Sequence, residues 1–126
     1  MKIYSYKELI VWQKSIKLVK EIFVLTDKFP RSEIYGLISQ MRRAAISIPS
    51  NIAERYGRRS HKEYIQFYAI AYGSALELET QLIIAKELQF ADENDLHKAE
   101  ALLTEVIKML YVLVYKEKKG VVAIQN

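Results

Sequence analysis

Apolar side chains recur every three or four residues along most of this chain. Between residues 34 and 52 the spacing of the apolar positions is 4-3-4-3-4, and between residues 96 and 113 it is 3-4-3-4-3. That spacing places them on one face of an amphipathic α-helix. Strand-like alternation is missing, and two prolines and four glycines leave few turns. The pattern predicts four long helices, over residues 6–27, 32–56, 60–88 and 92–118.

Polar residues that can accept the free amides of a first turn mark where three of these helices begin. Ser32 is the predicted N-cap of the second helix, and Ser60 with Glu63 has the form of a capping box before the third. Asp92 or Asn94 is the predicted cap of the fourth helix. Short connections between the four helices follow from these positions.

Two residues inside the predicted helices need a physical reason. Pro49 removes one backbone hydrogen bond and should bend the second helix, although the apolar pattern continues in phase beyond it. Gly73 in the third helix costs about 1 kcal/mol relative to alanine. We therefore expect Gly73 to relieve a clash with a neighbouring backbone.

The first helix carries two apolar rows where a simple bundle needs one. One row has heptad spacing and consists of Leu9, Trp12, Ile16, Val19 and Phe23. The other lies on an adjacent face and consists of Val11, Leu18, Ile22 and Leu25. Two interpretations remain open: a helix that is buried on most sides, or a helix that also forms a subunit interface.

Four amphipathic helices with short connections predict an all-α, antiparallel, up-down-up-down four-helix bundle. Residues 1–126 form one predicted domain with an irregular tail over residues 120–126. There is no cysteine, hence no disulfide and no thiolate. The longest apolar run has seven residues, against roughly 20 needed to span a bilayer. With no signal region at the N-terminus, we expect a soluble, cytoplasmic protein without a membrane partner.

Positive charge is concentrated in one stretch, residues 40–63. This stretch holds five of the six arginines. With Lys62 it has six basic residues against Glu54 and Glu63, so its balance is 6 − 2 = +4, equal to the formal net charge of the whole chain. A local basic patch of this kind is typical of a surface that binds a polyanion.

The arginines of this stretch fall into two groups. Arg42 and Arg43 lie in the middle of the second helix, and one of them is predicted to form a structural ion pair with Glu77 or Glu79 of the third. A ligand contact is the alternative for this pair of arginines.

The second group lies near the turn between the second and third helices. Its predicted contacts to nucleic-acid phosphates involve Arg55, Arg58, Arg59 and Lys62. A solvated turn is the alternative. Tyr56 is the candidate for base stacking, whereas the four-residue repeat of three other tyrosines favours a place in the core or an interface. Those three are Tyr64, Tyr68 and Tyr72.

No residue spacing indicates a catalytic centre, a metal centre or a cofactor site, so we expect a protein that is not an enzyme. His61 and His97 are isolated. Glu93, His97 and Glu100 share a face of the fourth helix and are at most a weak metal site. A di-iron bundle requires two Glu-x-x-His motifs, which the sequence lacks.

Several motifs resemble one family of bacterial proteins. They are Gly36-Leu37, the run from Gln40 to Ala45, the run from Ser47 to Glu54, Gly57-Arg58-Arg59, Gly73-Ser74 followed by Glu77 and Glu79, and the run from Leu9 to Gln13. The chain is similar in these positions to the four-helix-bundle proteins encoded in intervening sequences of 23S ribosomal RNA genes. Arg55 departs from the pattern, because the family usually has glycine before the aromatic residue.

This resemblance implies a homo-oligomeric ring, typically of five subunits, with no established enzymatic activity. It also implies distant kinship with the accessory variability determinant proteins of diversity-generating retroelements, which are basic rings that bind nucleic acid and a reverse transcriptase. The first expectation for function is thus a ring-forming binding module for RNA or DNA. The second is a scaffold for a protein partner that processes nucleic acid. A metal-assisted hydrolase using carboxylates of the fourth helix is a third and weaker alternative.

Overall fold

Four α-helices form the architecture in a computed structural model that describes residues 5–56 and 61–116, with side chains described for all of these except residues 61–64. The helices are α1 (Ile10–Thr26), α2 (Leu37–Arg55), α3 (His61–Glu87) and α4 (Glu93–Tyr111). Short 3-10 turns precede α1 and α2, at Tyr6–Glu8 and Arg31–Glu33. A π-helical turn, Val112–Lys116, continues α4. The described chain has no strand, which confirms the all-α, four-helix prediction.

The start of the first helix differs from the prediction because the backbone of Leu9 is extended, with φ −72° and ψ 129°, and separates a short 3-10 turn from α1. The Ser5 hydroxyl accepts a hydrogen bond from the Lys7 amide at 3.1 Å. The Glu8 carboxylate accepts one from the Ser5 amide at 3.1 Å. These two bonds form a capping box that stabilises the 3-10 turn, and the α-helix begins after Leu9, at Ile10 rather than near residue 6.

The predicted N-cap of the second helix is wrong. Ser32 lies within the 3-10 turn, and α2 begins only at Leu37, with Gly36 at the N-cap position. The Glu33 carboxylate accepts a hydrogen bond from the Leu37 amide at 3.3 Å and replaces a side-chain cap. From there α2 continues through Pro49 to Arg55, as the in-phase apolar pattern predicts.

The fourth helix begins where the sequence predicts. Asp92 is its N-cap and accepts a hydrogen bond from the Asp95 amide at 2.9 Å. The capping box expected at Ser60 and Glu63 lies outside the described residues, as do Gly57 and the tail over residues 120–126.

Each helix contributes one buried apolar row to a common core. The residues at its centre are at most 2% exposed and include Leu18, Ile22, Met41, Ile48, Ile52, Leu78, Leu82, Leu103, Val106 and Leu110. Tyr68 of α3 is the largest fully buried side chain, as expected for one of the repeating tyrosines. Burial of these rows is the main favourable term in folding.

Three ion pairs join α1 and the turn that follows it to α4. Their lengths are 2.7 Å for Lys14–Glu105, 3.5 Å for Glu21–Lys98 and 2.6 Å for Lys28–Asp95. The pKa of Asp95 lies below its ordinary value because the carboxylate accepts a hydrogen bond from the Lys28 ammonium group. Exposed pairs of this kind contribute little to stability.

Gly73 does not have the role that the sequence analysis assigned to it. The residue is exposed, and a Cβ atom added there would meet no atom within 4 Å. Gly73 therefore relieves no clash within the described chain. It lowers the stability of the helix without a gain in packing.

Replacing Gly73 with alanine should therefore stabilise the protein by about 1 kcal/mol. The measurement is a urea unfolding series on wild type and Gly73→Ala. Ala69→Gly is the matched control, because Ala69 is also exposed and lies one turn earlier in α3; it should lose a similar amount. A destabilised Gly73→Ala protein would contradict the free surface described here.

Candidate nucleic-acid interface

The end of α2 is held by an aromatic cluster. Tyr56 follows the last residue of α2, and its ring lies 6.1 Å from that of Tyr6, centroid to centroid. Tyr6 in turn meets Trp12 of α1 edge-on at 5.3 Å. These contacts join the 3-10 turn before α1 to the end of α2.

Arg55 is packed against this cluster and against α3. Its guanidinium carbon lies 5.0 Å from the ring centroid of Tyr56 and 5.3 Å from that of Tyr68. Both distances are within the range of a cation–π contact. Arg55 and Tyr56 are each half-buried, so these two members of the predicted binding set take part in the packing of the bundle.

The other members of the predicted set are Arg58, Arg59 and Lys62. The first two, and the side chain of Lys62, lie outside the described residues. Their contact with phosphates stays a prediction.

Arg42 has a different partner from the one predicted. Its Nε donates a hydrogen bond to Thr26 Oγ1 at 2.9 Å, and its Nη2 meets Asp27 Oδ1 at 2.9 Å. The guanidinium carbon also lies 4.4 Å above the Phe23 ring. Thr26 is buried and donates its own hydroxyl to the Ile22 carbonyl at 2.7 Å. Arg42 therefore joins α2 to the end of α1.

The predicted pair with α3 is consequently wrong for Arg42. Arg43 is exposed, and so are Glu77 and Glu79. The Glu77 carboxylate accepts a hydrogen bond from Gln81 Nε2 at 3.1 Å within α3. The physical reason is the rotation of α2, which turns Arg42 toward α1 and leaves Arg43 on the outer surface.

The two apolar rows of α1 have different environments. Val11, Leu18, Ile22 and Leu25 are buried, whereas Ile16 is 42% and Phe23 36% exposed. The partly exposed row of α1 contributes Trp12, Ile16 and Val19 to a groove of about 310 Å³, which α2 also lines. The lining residues are Tyr6, Trp12, Ile16, Val19, Ile46, Pro49, Ser50 and Ala53. We refer to it as the α1/α2 groove.

Comparison with known proteins gives the family. Residues 7–112 match the family model described as "23S rRNA-intervening sequence protein". The chain belongs to this family. Among curated proteins, none matches the chain. The resemblance found in the sequence motifs is confirmed, whereas the kinship with accessory proteins of retroelements stays a prediction.

One solved structure supports the fold of this 23S rRNA-intervening sequence protein. It is a protein of unknown function from the S23 ribosomal protein family of Bacteroides thetaiotaomicron. The TM-score is 0.77 at 22% sequence identity, and the match covers 84% of this chain and 99% of that chain. At this identity the likeness concerns the fold alone.

The weak metal site considered on the fourth helix receives no support. Glu93 forms an ion pair with Lys86 at 3.0 Å. In residues 5–56 and 61–116, as far as their side chains are described, no three acidic or histidine side chains lie close enough together to hold a metal ion. None of the helices in that part of the chain is long and apolar enough to cross a membrane.

Sequence reasoning missed one group of surface residues. Tyr72, expected in the core or an interface, is half-buried and contacts Tyr111, the last residue of α4, and Tyr115 of the π-helical turn. The four-residue spacing of Tyr111 and Tyr115 was the available signal, because residues so spaced lie on one side of a helix.

Arg42→Met should destabilise the family member described here by about 1–3 kcal/mol, because it removes a charged hydrogen bond to buried Thr26 and the contact with Phe23. Asp27→Asn should cost less than about 1 kcal/mol, since that carboxylate is mostly exposed. Glu77→Gln and Glu79→Gln should leave the free energy of unfolding unchanged. If either glutamine variant lowers the free energy of unfolding as much as Arg42→Met does, the predicted pairing with α3 would be supported after all. Urea unfolding measures all four.

Proposed function

We propose that this protein is a non-enzymatic binding module that contacts RNA or DNA phosphates through basic residues at one end of an antiparallel four-helix bundle, and that it assembles as a homo-oligomeric ring. The observation that carries the proposal is the positive charge of the two sequence segments that adjoin the end of α2 and the end of α4.

The antiparallel, up-down-up-down order is supported by the ion pairs between α1 and α4. Positions 14 and 21 of α1, and position 28 just after its end, pair with positions 105, 98 and 95 of α4. Residue numbers thus rise along one helix as they fall along the other. The contact of Tyr6 with Tyr56 supports the same order for α1 and α2, because it brings the start of one to the end of the other.

In this order one end of the bundle receives the end of α2, the start of α3 and the end of α4. Residues 54–63 have four basic and two acidic side chains, and residues 116–119 have three and one. Each segment has a net charge of 2, and together they carry 2 + 2 = +4, which equals the formal net charge of the chain. We refer to these two segments as the basic end. A surplus of charge at one end attracts a polyanion, and contacts to phosphates release counterions.

The residues of the basic end have distinct roles in this proposal. Arg55 stacks on Tyr56 and Tyr68, so it is a positioning residue that holds the end of α2 against α3. Its charge still contributes to the field of the basic end. The direct phosphate contacts are assigned to Arg58, Arg59 and Lys62.

The α1/α2 groove supports the proposed assembly. Trp12, Ile16 and Ile46 present a continuous apolar surface between two helices, and neither Ile16 nor Ile46 is covered within the chain, at 42% and 45% exposed. We assign this groove to a contact between copies of the chain in a ring, for which the family resemblance suggests five subunits. Repetition of the basic end around a ring raises the effective concentration of binding sites for one long polyanion.

A scaffold for a protein that processes nucleic acid, such as a reverse transcriptase, is the second candidate. The same apolar groove favours it, because Trp12 is of the residue type enriched where protein partners bind. The two candidates differ in whether the purified protein binds nucleic acid by itself.

Arg58→Ala with Arg59→Ala should weaken binding to all RNA sequences alike and reduce its dependence on salt. Log affinity should fall linearly with log salt, with a slope of about −0.7 per contacted phosphate on a single strand. The measurement is fluorescence anisotropy of labelled oligonucleotides over a salt series. The control is Lys17→Ala with Lys20→Ala, which removes the same charge from exposed positions of α1. Only the arginine variant should make the slope of log affinity against log salt less steep.

Two outcomes would contradict the phosphate contacts. In one, both double variants have the same affinity and slope, so total charge alone matters. In the other, the wild-type protein fails to bind at low salt, which would favour the scaffold. The melting temperatures of both variants should stay close to that of wild type.

Ile16→Glu should disrupt the assembly, because it places a charge in the apolar groove. Ile84→Glu is a matched control, since Ile84 is also 42% exposed but lies on α3. Light scattering should give the wild type and Ile84→Glu a mass several times 14.7 kDa, and Ile16→Glu a lower one. A wild-type protein that is monomeric at micromolar concentration would refute the ring.

A further inference from the structure

Three tyrosines meet on the outer surface where α3 lies beside α4 and its π-helical extension. The ring centroids of Tyr111 and Tyr115 are 4.7 Å apart. Tyr72 lies 5.9 Å from Tyr115 and 6.2 Å from Tyr111. We refer to these residues as the tyrosine cluster. Aromatic contacts at these distances hold the rings against one another, so the cluster forms one surface rather than three independent side chains.

Tyr111 and Tyr115 face away from the core, whereas Tyr72 is partly buried and packs against it. Leu110 and Val114, which immediately precede Tyr111 and Tyr115, are 0% and 3% exposed. Tyr111 is 48% and Tyr115 42% exposed. The α-helix ends at Tyr111, and the π-helical turn Val112–Lys116 carries Tyr115. Such turns are rare and occur often at functional sites. The fold thus keeps Val114 in the core while it leaves two aromatic rings accessible.

Two lysines lie beside the cluster. Lys108 is exposed and lies one turn before Tyr111 on the same side of α4. Lys116 is exposed and follows Tyr115 directly. Glu105, an acidic residue of the same helix, is turned toward α1, where it pairs with Lys14 at 2.7 Å. Exposed aromatic rings flanked by cations are complementary to a strand that offers both bases and phosphates.

We infer that the tyrosine cluster is a stacking site for unpaired bases of a single-stranded nucleic acid. This inference rests on the proposed function and specifies its ligand: the basic end would contact phosphates, and the tyrosine cluster would select strands whose bases are free. A duplex keeps its bases stacked inside and offers only its backbone to such a surface.

The position of the cluster fits this division of tasks. Tyr72 is 11 residues after His61, the first residue of α3, which corresponds to about 16 Å along the helix. Tyr115 lies in the π-helical turn Val112–Lys116 and directly precedes Lys116, the first residue of the second segment of the basic end. One short strand can therefore reach both surfaces.

The test uses the whole chain and two fluorescein-labelled probes, a 20-nucleotide oligouridine and an RNA duplex of the same length. Tyr111→Leu with Tyr115→Leu keeps apolar side chains but removes both rings. This variant should bind oligouridine at least about fivefold more weakly, with unchanged affinity for the duplex and an unchanged salt slope. Tyr111→Phe with Tyr115→Phe keeps the rings and should bind both probes as wild type does.

The controls separate this inference from the function on which it rests. The Arg58→Ala, Arg59→Ala variant should lose affinity for both probes, whereas the leucine variant should lose it for oligouridine alone. If the leucine variant binds oligouridine as tightly as wild type does, the stacking site is overturned, while the phosphate contacts are not affected. An absence of wild-type binding to either probe at low salt would overturn both.

Two further outcomes would also overturn the stacking site. If the leucine variant has a lower mass by light scattering, the cluster is a contact between copies of the chain. If the phenylalanine variant loses as much affinity as the leucine variant, the hydroxyl groups and not the rings are responsible. Should the double leucine variant unfold, Tyr115→Leu alone provides the same comparison, because Tyr115 lies in the last turn of the extension.

Discussion

The burial of one apolar row from each of four helices is the constraint on which the rest of this structure depends. A helix in a bundle turns one stripe toward the centre, and in α1 that stripe is the row that contains Leu18 and Ile22. The row that contains Trp12 and Ile16 is then displaced toward α2 and only half covered. The same packing that stabilises the core therefore produces the α1/α2 groove, and it explains why a helix with two apolar rows need not be buried on all sides.

The basic stretch of the sequence is divided by the fold into structural and outward-facing parts. Arg42 donates to Thr26 and stacks on Phe23, while Arg55 stacks on Tyr56 and Tyr68. A planar guanidinium suits both places because it stacks and donates at the same time. These two arginines bind the helices together, and the proposed function therefore assigns the contact with nucleic acid to the arginines and the lysine that follow Tyr56 in the chain.

The proposed function combines two surfaces with different selectivity. Phosphate contacts carry no sequence information and depend strongly on salt. Stacking on tyrosine requires an unpaired base but accepts any base. A protein with a basic end beside the tyrosine cluster would thus favour single strands over duplexes without reading their sequence. This distinction gives the two surfaces separable effects, since one acts through charge and the other through aromatic area.

The sequence by itself determined the local features of this protein. Periodicity located four helices, Asp92 was one of two candidate N-caps for the fourth, and the motifs around Pro49 indicated the family, because each depends on residues that are near one another in the chain. Only the tertiary structure decided which partners meet across helices. The pairing of Arg42 with Asp27 rather than Glu77 or Glu79, the free surface at Gly73, and the meeting of Tyr72 with Tyr111 and Tyr115 all follow from the rotation of each helix about its axis. That rotation is set by the interlocking of side chains in the common core, and the period of a single helix does not specify it.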